Sequence, residues 1–433
     1  MSPFFVLRAF GIIHKLPYWQ RVCFFKLNCL LLQYKNGIIV KTKIQQLVAQ
    51  YTDYVTQCYR TIHANPELSF EEYQTAAFVC GELDKMGIEY RSGIAGTGVL
   101  GILKGNNPEK KTIALRADMD ALPVCESVNL DWKSKNENVM HACGHDVHTA
   151  CLLGAAQVLN AIRDKFEGTI LLVFQPGEEK APGGARLMLE AGVFDIYKPE
   201  LILAQHVSVD YPTGTMGFLP GKIMASADEI HVKVRGKGGH GALPHLVNDT
   251  VLATAQTLVS LQQVKSRLCH PLTPMVLTFG KLIAAGAQNV IPHEVQLSGT
   301  FRTVDETWRE KAKQHIRRII TETTAAYGCT AEIEIPDGYP CVINDEVTTR
   351  NARNFAAEWV GEEQVVDLEM RMTSEDFSFF TQQYPATFYR FGVKGEANKN
   401  TGGLHSADFV IDEKALPVGF GGMAWLAYRF LQQ

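Results

Sequence analysis

Three short apolar runs restrict the fold of this chain more than any other feature: TIALRAD (112–118), TILLVFQ (169–175) and LILAQHV (201–207). Each reads as a buried strand. Between the first two lies VHTACLLGAAQVLNAIRD (147–164), whose apolar residues recur at three- and four-residue intervals, the spacing of a helix. Strands alternating with helices predict an α/β fold with a mostly parallel, helix-covered sheet.

In such an open sheet the ligand crevice lies at the carboxyl ends of the strands. Here those ends are polar. The first run leads into Asp118 and Asp120, the second into Gly177, Glu178 and Glu179, and the third ends at His206. A fourth segment, MHACGHDVHTA (140–150), sets Cys143 and His145 two residues apart, so both donors can face one point from a turn. A fifth, GGLHSADF, presents His405 in a Gly-flanked loop. A thiolate, imidazoles and carboxylates suit a borderline divalent metal far better than calcium or magnesium. No second C-x-x-C or H-x-x-x-H pair closes a structural zinc site, so the pattern is that of an open, catalytic metal centre. Five protein donors exceed what one hydrolytic zinc usually takes, which predicts two ions with a bridging thiolate. Adjacent Glu178 and Glu179 then permit one ligand and one base. His63, His231, His270, His293 and His315 read as ordinary core or surface histidines.

At 433 residues, two domains are expected. Region 224–335 changes rhythm to strand, helix, strand, strand, helix, strand, the ferredoxin-like βαββαβ order. Apolar strand and helix signals return after it, including ATFYRFGV (386–393) and a helix near 413–430, so the small domain is inserted into the large one. The expected division is 44–222 with 337–433 for the large domain and 223–336 for the insert. Helices are expected over 41–60 and 70–86, the second with a Ser69/Glu72 capping box and Gly87 as its C-terminal cap. Residues 1–43 carry basic but no acidic residues, and their apolar stretches are too short to span a bilayer. We expect a poorly ordered extension there, read as an over-extended gene start before a targeting or membrane-surface segment. A net charge of −4 offers no field for nucleic acid. The 10 cysteines follow no framework spacing, which predicts reduced thiols and a cytoplasmic enzyme.

The chain resembles the dinuclear-metal amidohydrolase family of aminoacylases, carboxypeptidases and succinyl-diaminopimelate desuccinylases. Within it, the resemblance is to the branch of hippurate hydrolases, indole-acetyl-amino-acid hydrolases and N-acetyldiaminopimelate deacetylases. It runs from about Ile44 to the C-terminus and rests on ten ordered motifs: HANPELSFEE, RADMDALP, MHACGHDVHT, QPGEE, the histidine of AQHV, GKGGHGALPH, NVIP, SGTFRT, SEDF and GGLHSADF. The resemblance implies a metallopeptidase-like large domain and a small lid and dimerisation domain. It implies Cys143, His145, Glu179, His206 and His405 as ligands of two divalent ions, zinc or manganese foremost, with cobalt or nickel also fitting. Glu178 becomes the general base. The wider family has an H-x-D pair where this chain has Asp118 and Asp120, so Cys143 takes over as bridge and the two aspartates orient ligands. His240 is implied as a donor to the scissile carbonyl across a homodimer interface, with Asn289 and Arg302 contacting the substrate carboxylate. The expected activity is hydrolysis of N-acyl amino acids of the hippurate or N-acetyl type. The rivals are a carboxypeptidase or dipeptidase acting on unmodified short peptides, and a non-catalytic binding protein on the same fold.

Overall fold

A computed structural model describes the backbone of residues 18–433, and the side chains from residue 37 onward apart from Ala397. The expected disorder of 1–17 therefore lies outside the described residues. The first helix, α1 (Tyr18–His63), starts well before the expected residue 41, so no break falls at residue 43. Pro17 and Pro66 bracket it, and no proline lies between them to stop it. Val40, Ile44, Leu47, Val48, Val55, Tyr59 and Ile62 are buried along one stripe of this helix.

Helix α2 (Tyr73–Met86) ends as expected on Gly87 at φ 64°, but its N-terminus differs. The Ser69/Glu72 capping box does not form. Ser69 Oγ instead donates to Asp120 Oδ2 at 2.6 Å, and Glu72 accepts from the Phe70 and Gly177 amides and from Thr97. Both side chains serve tertiary contacts that a local pattern cannot reveal.

Strands β1 (Glu89–Ile94), β2 (Gly98–Lys104) and β3 (Thr112–Asp118) follow, then α3 (His145–Ala161), β4 (Thr169–Gln175), α4 (Gly184–Glu190) and β5 (Leu201–Pro212). Next come β6 (Met216–Phe218), β7 (Gly221–Met224), β8 (Asp228–Arg235), β9 (Gly239–His240), α5 (Thr250–Leu261), β10 (Met275–Ile283), β11 (Val290–Ile291) and β12 (Glu294–Thr303). The chain closes with α6 (Glu306–Ala326), β13 (Thr330–Glu334), β14 (Val342–Asn344), α7 (Glu346–Val360), β15 (Val365–Asp367), α8 (Ser378–Thr381), β16 (Ala386–Lys394) and α9 (Leu416–Leu431).

The large sheet has the order β1-β2-β4-β3-β5-β16-β6-β15, and its centre, β4-β3-β5-β16, is parallel. The three apolar runs thus occupy its middle, each strand buried on both faces. On one face α1, α3 and α9 form the main core, and α3 is buried along nearly its whole length. Gly154 marks where these helices cross: a Cβ there would meet Val55 Cγ2 at 2.5 Å and Phe420 at 2.9 Å. A larger residue would drive the helices apart at a cost of about 1–3 kcal/mol. The opposite face holds a second core with Phe377, Phe380 and Phe388.

A separate antiparallel sheet, β10-β12-β8-β13, carries α5 and α6 over its own core of Ile230, Val232, Leu297, Phe301 and Ile316. Its connectivity, β8-α5-β10-β12-α6-β13, is the expected βαββαβ order. A two-stranded ribbon, β9 with β11, projects from it.

Candidate metal centre and active site

The carboxyl ends of β3 and β4 converge on His206, which lies inside β5 rather than at its end: the strand expected to stop at His206 continues to Pro212. Cys143 and His145 flank Gly144, which stands at φ 82° in the left-handed region and whose hydrogen faces Val207 Cγ2. Only glycine fits there without strain, since a Cβ would lie 2.6 Å from that methyl. The turn brings both donors to one side at the start of α3. Cys143, His145 and His206 lie within 4.8 Å of one another through their ligand atoms, as do Cys143, Glu179 and His405, and as do His145, Glu178 and Glu179. These overlapping groups join all five expected ligands and the expected base. That convergence was the central expectation.

The hydrogen bonds of each imidazole show which nitrogen is left for a cation. His145 Nδ1 lies 2.9 Å from the Asp120 carbonyl and 3.1 Å from Asp120 Oδ1, while its buried Nε2 has no hydrogen-bond partner. His206 Nδ1 lies 2.8 Å from the Val207 carbonyl, and its Nε2 faces Cys143 Sγ at 3.6 Å. In both rings the Nδ1–H is fixed by an oxygen acceptor, which leaves the Nε2 lone pair pointing at the cluster. His148 differs. It donates to Asp118 Oδ1 at 2.6 Å and accepts from the Val207 amide at 2.9 Å, so neither nitrogen is free.

Glu179 is fixed through its amide, which donates to Asp120 Oδ2 at 2.9 Å. Its Oε1 is buried without a hydrogen bond, although His405 Nε2 stands 3.1 Å away, within ion-pair range but off a hydrogen-bond line. His405 reaches this point from a loop residue at φ 66°, held by its own amide on the Ala142 carbonyl at 2.8 Å. Orphaned, buried His145 Nε2 and Glu179 Oε1, together with the thiol, fit a pair of divalent cations. Burial and the neighbouring Glu179 push the Cys143 thiol up to about 12, so a cation must accompany the thiolate form.

Of the two aspartates, Asp120 bonds expected ligands, whereas the hydrogen bonds of the Asp118 side chain go to His148 and Arg116. Asp120 gathers His145, Ser69 and the Glu179 amide. Asp118 pairs with His148 and with Arg116, whose guanidinium is wholly buried and also contacts Gln175, Glu375 and Asp376 at 2.8–3.0 Å. Glu178 sits against this acidic patch and accepts from the Asp376 amide at 3.3 Å. Burial and then the neighbouring Glu375, Glu179 and Asp376 hold its carboxyl well above the usual range. A carboxyl raised in this way holds a proton more readily than an ordinary glutamate, which suits a proton carrier.

Sequence reasoning missed the roles of Arg116, Glu375 and Asp376, although the motifs containing them, RADMDALP and SEDF, stood out. The signal was present: an arginine in the middle of an apolar strand must find acids. His63 is the satisfied core histidine expected, 2.6 Å from Asp146 and 3.3 Å from Glu126.

His240, Asn289 and Arg302 belong to the small sheet. His240 and Asn289 meet on the β9–β11 ribbon, where the Gly241 amide donates to the Asn289 carbonyl at 2.8 Å. His240 is exposed, and its Nδ1 accepts from the Ala242 amide at 3.0 Å, which leaves Nε2–H as a donor. It belongs to none of the donor groups around Cys143. Arg302, half-buried on β12, reaches Ser374 Oγ at 3.1 Å beside the SEDF segment.

Comparison with known proteins is consistent with this geometry. The family model "Peptidase family M20/M25/M40" matches residues 114–428. Thermostable carboxypeptidase 2 of Saccharolobus solfataricus is 38% identical over 391 residues, covering 90% of this chain and 98% of that protein. IAA-amino acid hydrolase ILR1-like 4 of Arabidopsis thaliana is 38% identical over 386 residues, covering 88% of this chain and 86% of the relative. Among solved structures, the Bacillus subtilis YXEP protein, described as a dinuclear metal binding peptidase, superposes with a TM-score of 0.77 at 33% identity, covering 89% of this chain and 99% of that one.

Proposed function

The chain belongs to the M20/M25/M40 peptidase family and is a hydrolase of amide bonds, and from this premise we propose that it cleaves N-acyl amino acids to a carboxylic acid and a free amino acid. The observation that carries the reading is the division between adjacent glutamates. Glu179 is tethered into the donor ring, while Glu178 is buried beside it with a raised carboxyl pKa and a backbone amide on its Oε1.

When bound, two divalent cations would supply Lewis acidity to the amide carbonyl and lower the pKa of the attacking water. Zinc or manganese suits the mixed sulfur, nitrogen and oxygen donors, and cobalt or nickel also fits. Cys143, His145, Glu179, His206 and His405 would hold them. Glu178 takes the proton of the attacking water and passes it to the departing nitrogen. His240 donates through Nε2–H to the oxyanion as it develops, reaching it from a second copy of the chain; its exposure leaves it open to such a contact. The small sheet supports that role as a lid and dimerisation unit. Its edge strand β10 ends in exposed Leu282 and Ile283, and Val290 of the ribbon and Leu252 and Val259 of α5 are also exposed. Asn289 and Arg302 fit the substrate's α-carboxylate from the same sheet. The scattered spacing of the cysteines is the ground for proposing a reducing, cytoplasmic setting. Among the described residues no helix is long and apolar enough to cross a membrane.

A carboxypeptidase acting on unmodified peptides is the second reading, favoured by the name of the Saccharolobus relative. A panel of hippurate, N-acetyl amino acids and dipeptides, assayed with defined metals, separates the two. We expect hydrolysis of the first two classes with dipeptides at least about tenfold poorer in kcat/KM. Preference for dipeptides with free amines would replace the proposal by its rival.

A further inference from the structure

Two arginines project from the same face of the large sheet toward its carboxyl edge, and they are treated oppositely. Arg116 on β3 is fully buried and surrounded by Asp118, Glu375, Asp376 and Gln175. Arg390 on β16 is 4% exposed, yet its recorded polar contact is Met224 Sδ at 3.8 Å, and its Nη1 is buried without a hydrogen bond. Among the described residues no carboxylate pairs with it. Glu375 and Asp210 act on it only from a distance, and Asp210 is itself paired with Arg371.

A buried guanidinium with no carboxylate in hydrogen-bond reach is costly and is not kept for stability. Burial first, then Arg371, lowers its pKa to about 10, so it remains charged at neutral pH. Its place in the fold is informative. Arg390 is the register partner of His206 on parallel β5, so the two side chains leave the sheet on the same side. Met224, against which it lies, bridges Arg371. The same short strip continues to Met372 and Ser374, which hold Arg302, a second guanidinium without a carboxylate partner.

We propose that Arg390 receives a second carboxylate of the substrate, distinct from the α-carboxylate assigned to Asn289 and Arg302, so that the preferred substrates are dianionic N-acyl amino acids. The second carboxylate belongs either to the amino acid side chain or to the acyl group; the chemistry recognised is the same. This inference rests on the amidohydrolase reading, but its binding arm does not depend on turnover.

The test uses metal-loaded wild type, Arg390→Leu and Arg390→Lys. Calorimetry with glutarate and butyrate measures the advantage of a second carboxylate. Wild type should bind glutarate about 10–100-fold more tightly than butyrate, the scale of a charge-assisted pair, and Arg390→Leu should erase that ratio. In kinetics, kcat/KM for N-acetyl-glutamate or N-succinyl-alanine should exceed that for N-acetyl-alanine by a similar factor in wild type. Arg390→Leu should lose this preference while retaining N-acetyl-alanine hydrolysis. The better dianion identifies the end that Arg390 reads. Arg390→Lys should keep part of the preference, because it keeps the charge without the fork. Thermal melting of Arg390→Leu without ligand should rise by a few degrees, since an unpaired buried charge is gone. An unchanged glutarate-to-butyrate ratio, or an equal loss on all three amides, overturns the assignment. If wild type cleaves no amide, the amidohydrolase reading fails and the glutarate arm alone decides the role of Arg390.

Discussion

The two sheets contribute to the site in opposite ways. On the large sheet three of the candidate ligands are locked by neighbours: His145 by Asp120, His206 by the Val207 carbonyl, Glu179 by its amide. On the small sheet, His240 is solvent-exposed on a two-stranded ribbon and touches none of them. One region is pre-organised within a single chain. The other is complete only when something is brought to it. Under the proposed reading, the fixed groups hold the chemistry and the exposed ribbon is where a second copy would meet the substrate.

The largest effect expected is at the rigid end. Glu178→Gln removes the proton carrier but leaves the donor ring intact, so kcat should fall by about 10²–10⁴-fold with metal content unchanged by elemental analysis. A variant that loses activity and metal together would mean that Glu178 is a ligand, and the division between the two glutamates would collapse.

At the exposed end, His240→Ala should cost about 10²–10³-fold in kcat, with melting temperature and metal content unaltered because the side chain packs against little. Mixing His240→Ala with Glu178→Gln subunits sharpens the comparison. If His240 acts in trans, a mixed dimer pairs one intact Glu178 with one intact His240, and activity should return toward a fraction of wild type. No recovery after verified subunit exchange would place His240 in the same chain's site, or outside catalysis.

The smallest effect concerns stability behind the centre. Burial pulls His63 down, but Asp146 and Glu126 outweigh it and raise its pKa to about 9 from an ordinary 6.5. A raised pKa stabilises the fold fully below pH 6.5 and loses that contribution as pH climbs through 9. The shift corresponds to on the order of 3 kcal/mol. Melting curves of wild type and His63→Gln should therefore differ most at pH 6 and converge by pH 10. A gap that stays constant with pH would show that His63 packs but does not carry the charge.

Much of this site was legible because its groups sit where strands end. The apolar runs told where β3 and β4 stop, and Asp118, Glu178 and Glu179 stand at or just past those stops; β5 runs on to Pro212, so His206 faces the site from within its strand. The small sheet was equally readable, since its alternating strands and amphipathic helices keep their local periods. What stayed hidden depends on contacts between distant residues. Arg116 finds Glu375 259 residues away, and nothing in TIALRAD announces which acids answer it. Ser69 satisfied a capping pattern by local rules, yet it bonds Asp120, 51 residues on. The isolation of Arg390 was invisible for the same reason: a missing partner can be recognised only after every neighbour is in place.

The account stands on one convergence, and anomalous diffraction from the metal-loaded protein tests it most directly. Two peaks should appear, about 3.5–4 Å apart, with Cys143 Sγ between them and His145, Glu179, His206 and His405 around them. A single peak, or density bound away from these five side chains, would contradict it.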